Sequence, residues 1–319
     1  MKAEAHHRLG GLEPDNLLAF MALLGLLRAL ETAEPEWRPR AYWDETQHPL
    51  RPVLTLAVAK TQEDVAEAAA RGVGKLARFF EFDRENITYT QREARAALSS
   101  EPHENRTVFE ALISDGAVRE KEDKVWPTPL CFLFGQGHQH FLDRLANVPN
   151  GRLPKKLEKL KTPPDLRAPA FMASALFAPW RREDPTDGLR WDPAEDRRYA
   201  LRADDPSGDP AGAQHGANRL AAIALPLFST AVIVRRGETR LLARACSYAS
   251  DGAILFTWPL WARAASSASI AALIARSELA KAAPDLRALP SGAGIIALMR
   301  AERISVGKFF NVTAAERLG

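Results

Sequence analysis

Leu17, Leu18, Phe20, Met21, Leu23, Leu24, Leu26 and Leu27 place large apolar side chains around most of a helix's circumference, not along one stripe. A helix apolar on all sides is stable in water only when other elements cover it, so the fold must be built around this segment. Asp15 and Asn16 precede it with short side chains that accept from the open amides of a first turn. The helix is therefore expected from Leu17 to about Leu30. His6, His7 and Arg8 lend the stretch a superficial likeness to a secretory leader, but Glu13 and Asp15 intervene and Arg28 and Glu31 follow at once. No small-x-small cleavage site follows, and the eleven residues from Leu17 to Leu27 fall short of a bilayer's thickness. The expectation is a core helix in a cytoplasmic protein without membrane contact.

Beyond a Trp- and Pro-rich stretch, Val53-Leu54-Thr55-Leu56-Ala57-Val58 reads as a strand. Thr61 with Asp64, Thr90 with Glu93 and Thr107 with Glu110 have capping-box spacing, which predicts helices near 62–80, 91–99 and 108–114. Asp115-Gly116 marks a turn. The clearest break is Pro149 to Pro164, which holds Asn150-Gly151, four prolines and the cations Arg152, Lys155, Lys156, Lys159 and Lys161. It is expected to be an exposed connection, dividing a mainly helical region, 1–150, from an α+β region, 151–319. A second polar stretch, Arg181 to Gly216, reads as a long ordered loop. After it, runs at 230–234, 240–244 and 254–258, with turns at Gly237 and Asp251-Gly252, predict a three-stranded antiparallel meander. A helix near 267–281 and a final strand near 294–302 complete an α+β chain, since helices gather around strands without βαβ alternation.

Composition excludes some classes. With 46% hydrophobic and 26% charged residues over 319 positions, the chain can bury a core and is not a disordered polymer. Its 43 Lys and Arg against 40 Asp and Glu leave only +3, so any contact with phosphate must come from a local basic stripe. Two cysteines, Cys131 and Cys246, are too few to staple a fold of this size, and buried thiols in a reducing compartment are expected.

Four clusters carry possible chemistry. In Phe134-Gly135-Gln136-Gly137-His138-Gln139-His140-Phe141, the two histidines with Cys131 offer metal ligands, but i and i+2 side chains on a helix do not face each other. Gly135 and Gly137 fit a tight turn or amides that meet a phosphate at a helix start, although neither a dinucleotide fingerprint nor a P-loop is present. Gln214-His215-Gly216-Ala217-Asn218-Arg219 opens an apolar helix, either as a ligand-binding corner or with Asn218 as its cap and His215 on loop backbone. Trp180, Arg181, Arg182, Arg190, Trp191, Arg197, Arg198 and Tyr199 mix guanidinium groups with stacking surfaces, as single-strand binders do. Glu183, Asp184, Asp187, Asp192, Glu195 and Asp196 stand among them and equally fit internal salt bridges. Arg303 and Lys308 punctuate the last strand, where they suit a phosphate or a solvated face. There is no Gly-x-Ser-x-Gly elbow and no His-Glu-x-x-His, so no catalytic residue, cofactor or metal is assigned.

Several patches together resemble the CRISPR-associated proteins of type I-U (I-G) systems, in their large-subunit-like or effector-accessory families. They are Leu9-Gly10-Gly11-Leu12-Glu13-Pro14-Asp15-Asn16 running into Leu23-Leu24-Gly25-Leu26, Arg51-Pro52-Val53-Leu54, Gln214-His215-Gly216-Ala217-Asn218-Arg219-Leu220, and Phe256-Thr257-Trp258-Pro259-Leu260-Trp261. The resemblance implies a non-catalytic subunit of an RNA-guided surveillance complex, partnered by other effector subunits and by guide RNA or target DNA. The nucleic-acid contacts it suggests are Arg152, Lys155, Lys156 and Lys159, the region of Arg181, Arg182, Arg190 and Trp191, Arg219, and Arg303 with Lys308. Two other classes stay open: a metal-dependent enzyme that joins His138, His140 and His215, and a protein–protein scaffold.

Overall fold

In a computed structural model, the structure describes residues 4–119, 122–134, 140–195, 212–306 and 309–318. Strand β1 (Ala5–Arg8) leads to helix α1 (Leu17–Ala33), whose cap is Asn16, its side chain accepting from the amide of Ala19 at 3.3 Å. From Leu17 to Leu30 every residue of α1 but Arg28 is buried, as the all-round apolar pattern requires. Strands β2 (Arg40–Asp44) and β3 (Arg51–Leu56) follow, and β3 lies antiparallel between β1 and β2.

Helices α2 (Gln62–Ala77) and α3 (Gln91–Leu98) start at complete capping boxes on Thr61/Asp64 and Thr90/Glu93. Helix α4 (His103–Leu112) does not start at Thr107 as the third box predicted. It begins directly after Pro102, and the Thr107 hydroxyl donates back to the carbonyl of Glu104 at 2.8 Å inside the helix. Proline lacks an amide and suits a helix entry, so the earlier start prevails over the box.

Next come the short pair β4 (Val118–Arg119) and β5 (Lys124–Val125), then helices α5 (Phe141–Asn150), α6 (Lys155–Glu158), α7 (Pro169–Phe177) and α8 (His215–Ala224). All ten residues of α8 are buried, and it packs along α1. At the closest approach the Cβ of an alanine in place of Gly25 would sit 1.9 Å from the Leu220 carbonyl oxygen, and one at Gly72 of α2 would sit 2.0 Å from that of Ala29. Glycine at these two positions lets α8 and α2 press their backbones against α1.

The C-terminal half is mostly strand. Strands β6 (Thr230–Arg235) and β7 (Glu238–Ala243) form the expected hairpin. The expected third partner, 254–258, does not join it. Instead β8 (Cys246–Tyr248), β9 (Ile254–Trp261), β10 (Ile295–Val306) and β11 (Phe309–Val312) form a separate antiparallel meander, with β12 (Glu316–Leu318) returning to β10. At the break Ala245 has φ 62, a left-handed turn at which the β7 ladder ends. Helix α9 (Ser267–Ile274), between β9 and β10, is shorter than the predicted 267–281 and is followed by a 3₁₀ turn at Ser277–Ala280. Strand β9 is buried at every position, including Trp258 and Trp261, so the sheet is covered on both faces along this strand.

The fold is therefore α+β, with α1 at its centre. Its main core runs without interruption from Leu9 to Val312 and draws on residues before 150 and after 151, so it crosses the expected boundary. Among the described residues no helix is long and apolar enough to cross a membrane.

Candidate functional site

The segment after α5 folds back over the start of α8 and makes a basic corner. Helix α5 ends at Gly151, whose φ of 60 admits little else, and where a Cβ would meet the Arg167 side chain at 2.7 Å. Beyond it Lys155, Lys159 and Lys161 are exposed and make no ion pair among the described residues. The side chain of Lys156 lies outside the described part. Arg152 is exposed and pairs with Glu81 while donating to Asn147 Oδ1 at 3.3 Å. Arg167 donates to the carbonyl of Asn150 at 2.9 Å.

Beneath this surface the chemistry changes from exposed charge to buried polar wiring. The Leu166 carbonyl accepts from Arg219 Nη1 at 3.2 Å and from His215 Nε2 at 3.1 Å, and Arg219 Nε donates to the Pro149 carbonyl at 3.3 Å. The arrangement needs the proton of neutral His215 on Nε2, which leaves Nδ1 without a partner. Burial, with the charge of Arg219 beside it, pushes His215 down to about 4, and burial pushes Arg219 down to about 10. A cavity of about 30 Å³ opens between His215, Thr186, Arg144, Asn147 and Arg152. It has room for water and nothing larger, and Thr186 Oγ1 is also without a partner there.

Over residues 180–195 the Arg–Trp stretch forms a strap rather than a surface, and Asp196, Arg197, Arg198 and Tyr199 lie outside the described residues. Arg182, at φ 58, makes a two-pronged pair with buried Asp192 at 2.7 and 3.3 Å, and Asp192 also accepts from Asn16 Nδ2 at 3.0 Å. One carboxylate thus fastens the strap to the start of α1. Asp184 caps α8 by accepting from the His215 amide at 2.8 Å, and Asn218 Oδ1 accepts from the Leu189 amide at 2.9 Å. Trp191 is fully buried, and its indole donates to the Leu130 carbonyl at 2.9 Å. Arg190, at φ 64, donates to Asn311 Oδ1 at 3.0 Å. Gln214 Nε2 donates to Ser174 Oγ at 3.3 Å. Asn218 lies inside α8 instead of capping it; the cap position is Gln214.

Of the residues singled out from the sequence, Arg152, Lys155 and Lys159 share the exposed corner, and Arg181 is exposed on the strap. Trp191 and Arg219 are core residues, out of reach of a macromolecule, because the backbone carbonyls of Leu130, Pro149 and Leu166 take their polar atoms inward. Arg303 is held under two rings, 4.8 Å from the centroid of Phe310 and 5.8 Å from that of Phe134. Its Nη1 donates to the carbonyls of Pro129 and Cys131 at 3.3 Å each. Gly135, Gly137, His138 and Lys308 lie outside the described residues.

His140 precedes α5, its Nδ1 bonded to Asn86 Nδ2 at 2.8 Å. His215 meets the opposite end of that helix, so a ten-residue helix, about 15 Å long, separates the two histidines. Among the described residues no three His, Cys, Asp or Glu side chains are placed to hold a metal ion. Burial pushes Cys131 up to about 12 and raises Cys246 as well, so both are inert thiols. The Asp184 cap, the Asp192 anchor and the water-sized cavity escaped sequence reading, since each joins side chains far apart in the chain. Comparison with protein-family models and with curated proteins finds no match for this chain.

Proposed function

We propose that this chain is a non-catalytic subunit of an RNA-guided, cytoplasmic antiviral surveillance complex, of the type I-U (I-G) kind its sequence resembles. It contacts guide RNA or target DNA through the corner of Arg152, Lys155, Lys159 and Lys161, and docks other effector subunits. What supports the reading is that these cations, in a chain of net charge +3, are clustered on one exposed segment, and its three described lysines are left without internal partners. Flexible ammonium groups on an exposed turn suit sequence-independent contact with a phosphate backbone. The wired strap and the buried Arg219 give that turn a fixed base.

Fluorescence anisotropy with labelled single-stranded RNA and DNA across a potassium chloride series tests this. Binding should weaken as salt rises. The variant K155E/K159E/K161E should bind more weakly and with a slope of log affinity on log salt shallower by about 0.7 for each contact removed. Affinity and slope unchanged in that variant would sink the assignment of the corner.

A further inference from the structure

Outside the 152–161 segment, an exposed aromatic ring stands beside a cavity. Phe134 is exposed, at 37%, where the other Phe, Tyr and Trp side chains of described burial are buried or half-buried. Its ring lies 5.0 Å from that of Phe310, tilted at 56°, with the Arg303 guanidinium beside both rings. Because Arg303 is tied to two carbonyls, the pair rests on a fixed cation.

Beside Phe134 is a cavity of about 140 Å³ whose wall includes Asn86, Thr88, Arg119 and Lys124. Two polar atoms of that wall have no hydrogen-bond partner, Asn86 Oδ1 and Arg119 Nε. Both belong to side chains already fixed by their other atoms. Asn86 is held through Nδ2 on His140, and Arg119 by Glu122 at 3.2 Å and by stacking 4.5 Å from the Trp126 centroid. Lys124 is exposed at the rim. An exposed ring, an amide acceptor, a guanidinium donor and an ammonium group together match the parts of a nucleotide. Those parts are a π-face, an edge with both amino and carbonyl groups, and a phosphate.

We propose that this cavity seats one unpaired nucleobase of a bound single strand. The base stacks on Phe134, its polar edge meets Asn86 and Arg119, and its phosphate meets Lys124. The inference rests on the nucleic-acid reading above and adds to it a stacking site that the lysine corner does not supply.

Stacking and charge contacts separate in one experiment on the full-length chain. Labelled single-stranded RNA and DNA are titrated into wild type, F134A, F134W, N86A and K155E/K159E/K161E at several salt concentrations, with thermal melts confirming that each variant is folded. The seat requires F134A to weaken binding roughly fivefold to a hundredfold at every salt concentration while leaving the salt slope unchanged. F134W should restore affinity and N86A should show a smaller loss, and this pattern supports the proposal. If F134A binds like wild type while the lysine variant is weakened, the seat is overturned and the nucleic-acid reading stands. If F134W is as weak as F134A, the ring is not a stacking platform and the seat is likewise overturned. If wild type binds no strand at any salt concentration, both fall.

Discussion

Two buried titrating groups, Glu195 of the strap and His215 of α8, make opposite demands on pH, and replacing either one exposes the other. His215 ionises near 6.5 in an unfolded chain and at about 4 in the fold, because burial and the charge of Arg219 disfavour imidazolium. Below pH 6.5 the unfolded chain therefore binds the extra proton, and stability is lost as pH falls toward 4. Linkage over this interval puts the loss at about 2.5 kcal/mol between pH 7.5 and pH 4.5. Glu195 runs the other way. Burial, with Asp192 adding to it and Arg190 and Arg144 only partly offsetting it, pushes its carboxyl up to about 7. The folded chain then binds the proton more tightly, and stability rises as pH falls through 7, complete below the usual carboxylate value of 4.5. Glu195 is half-buried as a residue, so the gain of about 2.8 kcal/mol that the same linkage gives from pH 7.5 to 4.5 is its upper bound. Guanidinium unfolding at pH 4.5, 5.5, 6.5 and 7.5 reads the balance. Wild type should change little over this range. H215Q keeps a donor for the Leu166 carbonyl but cannot titrate, and it should grow more stable as pH falls. E195Q should lose about 2.5 kcal/mol over the same interval. Because only the change with pH is compared, any constant cost of either substitution cancels. Parallel pH profiles for wild type and H215Q would refute the buried, neutral His215.

Two glycines of α2 give a matched pair. A Cβ at Gly74 meets nothing within 4 Å, so G74A should stabilise by about 0.5–1 kcal/mol through helix propensity, whereas G72A drives a methyl into the Ala29 carbonyl and should cost about 3 kcal/mol or more in thermal or chemical unfolding. Cys131 and Cys246 should resist a chromogenic thiol reagent in the native protein and react together on unfolding, so rapid labelling of either in buffer at neutral pH would contradict their placement.

Much of this architecture is legible in local sequence. Asn16 caps α1, Thr61 and Thr90 open their helices, and Gly237 sits between the strands of the one hairpin with correct partners. These features depend on residues within a few positions of each other, where hydrogen-bond geometry follows spacing. The third capping box failed because Pro102, five residues upstream of Thr107, offered an earlier start. The candidate sites were legible only in part. Exposure of the 152–161 segment follows from its prolines and lysines, but the interleaved charges of the strap carry no sign of which way they face. Asp192 proved to be the buried partner of Arg182, and that turned an apparent surface into wiring.

The sequence by itself determined that α1 is central, because no arrangement in water tolerates a helix apolar on every side unless it is enclosed. It also determined that the chain mixes helices with antiparallel strands, because the apolar period changes near residue 230. Which strands pair was decided by tertiary structure, and the left-handed turn at which the β7 ladder ends falls on Ala245, a non-glycine residue that gives no warning of it. The same holds for the seat beside Phe134, assembled from Asn86, Arg119, Lys124, Phe134, Arg303 and Phe310. Those residues share no local pattern, and only the packing of the core brings them to one place.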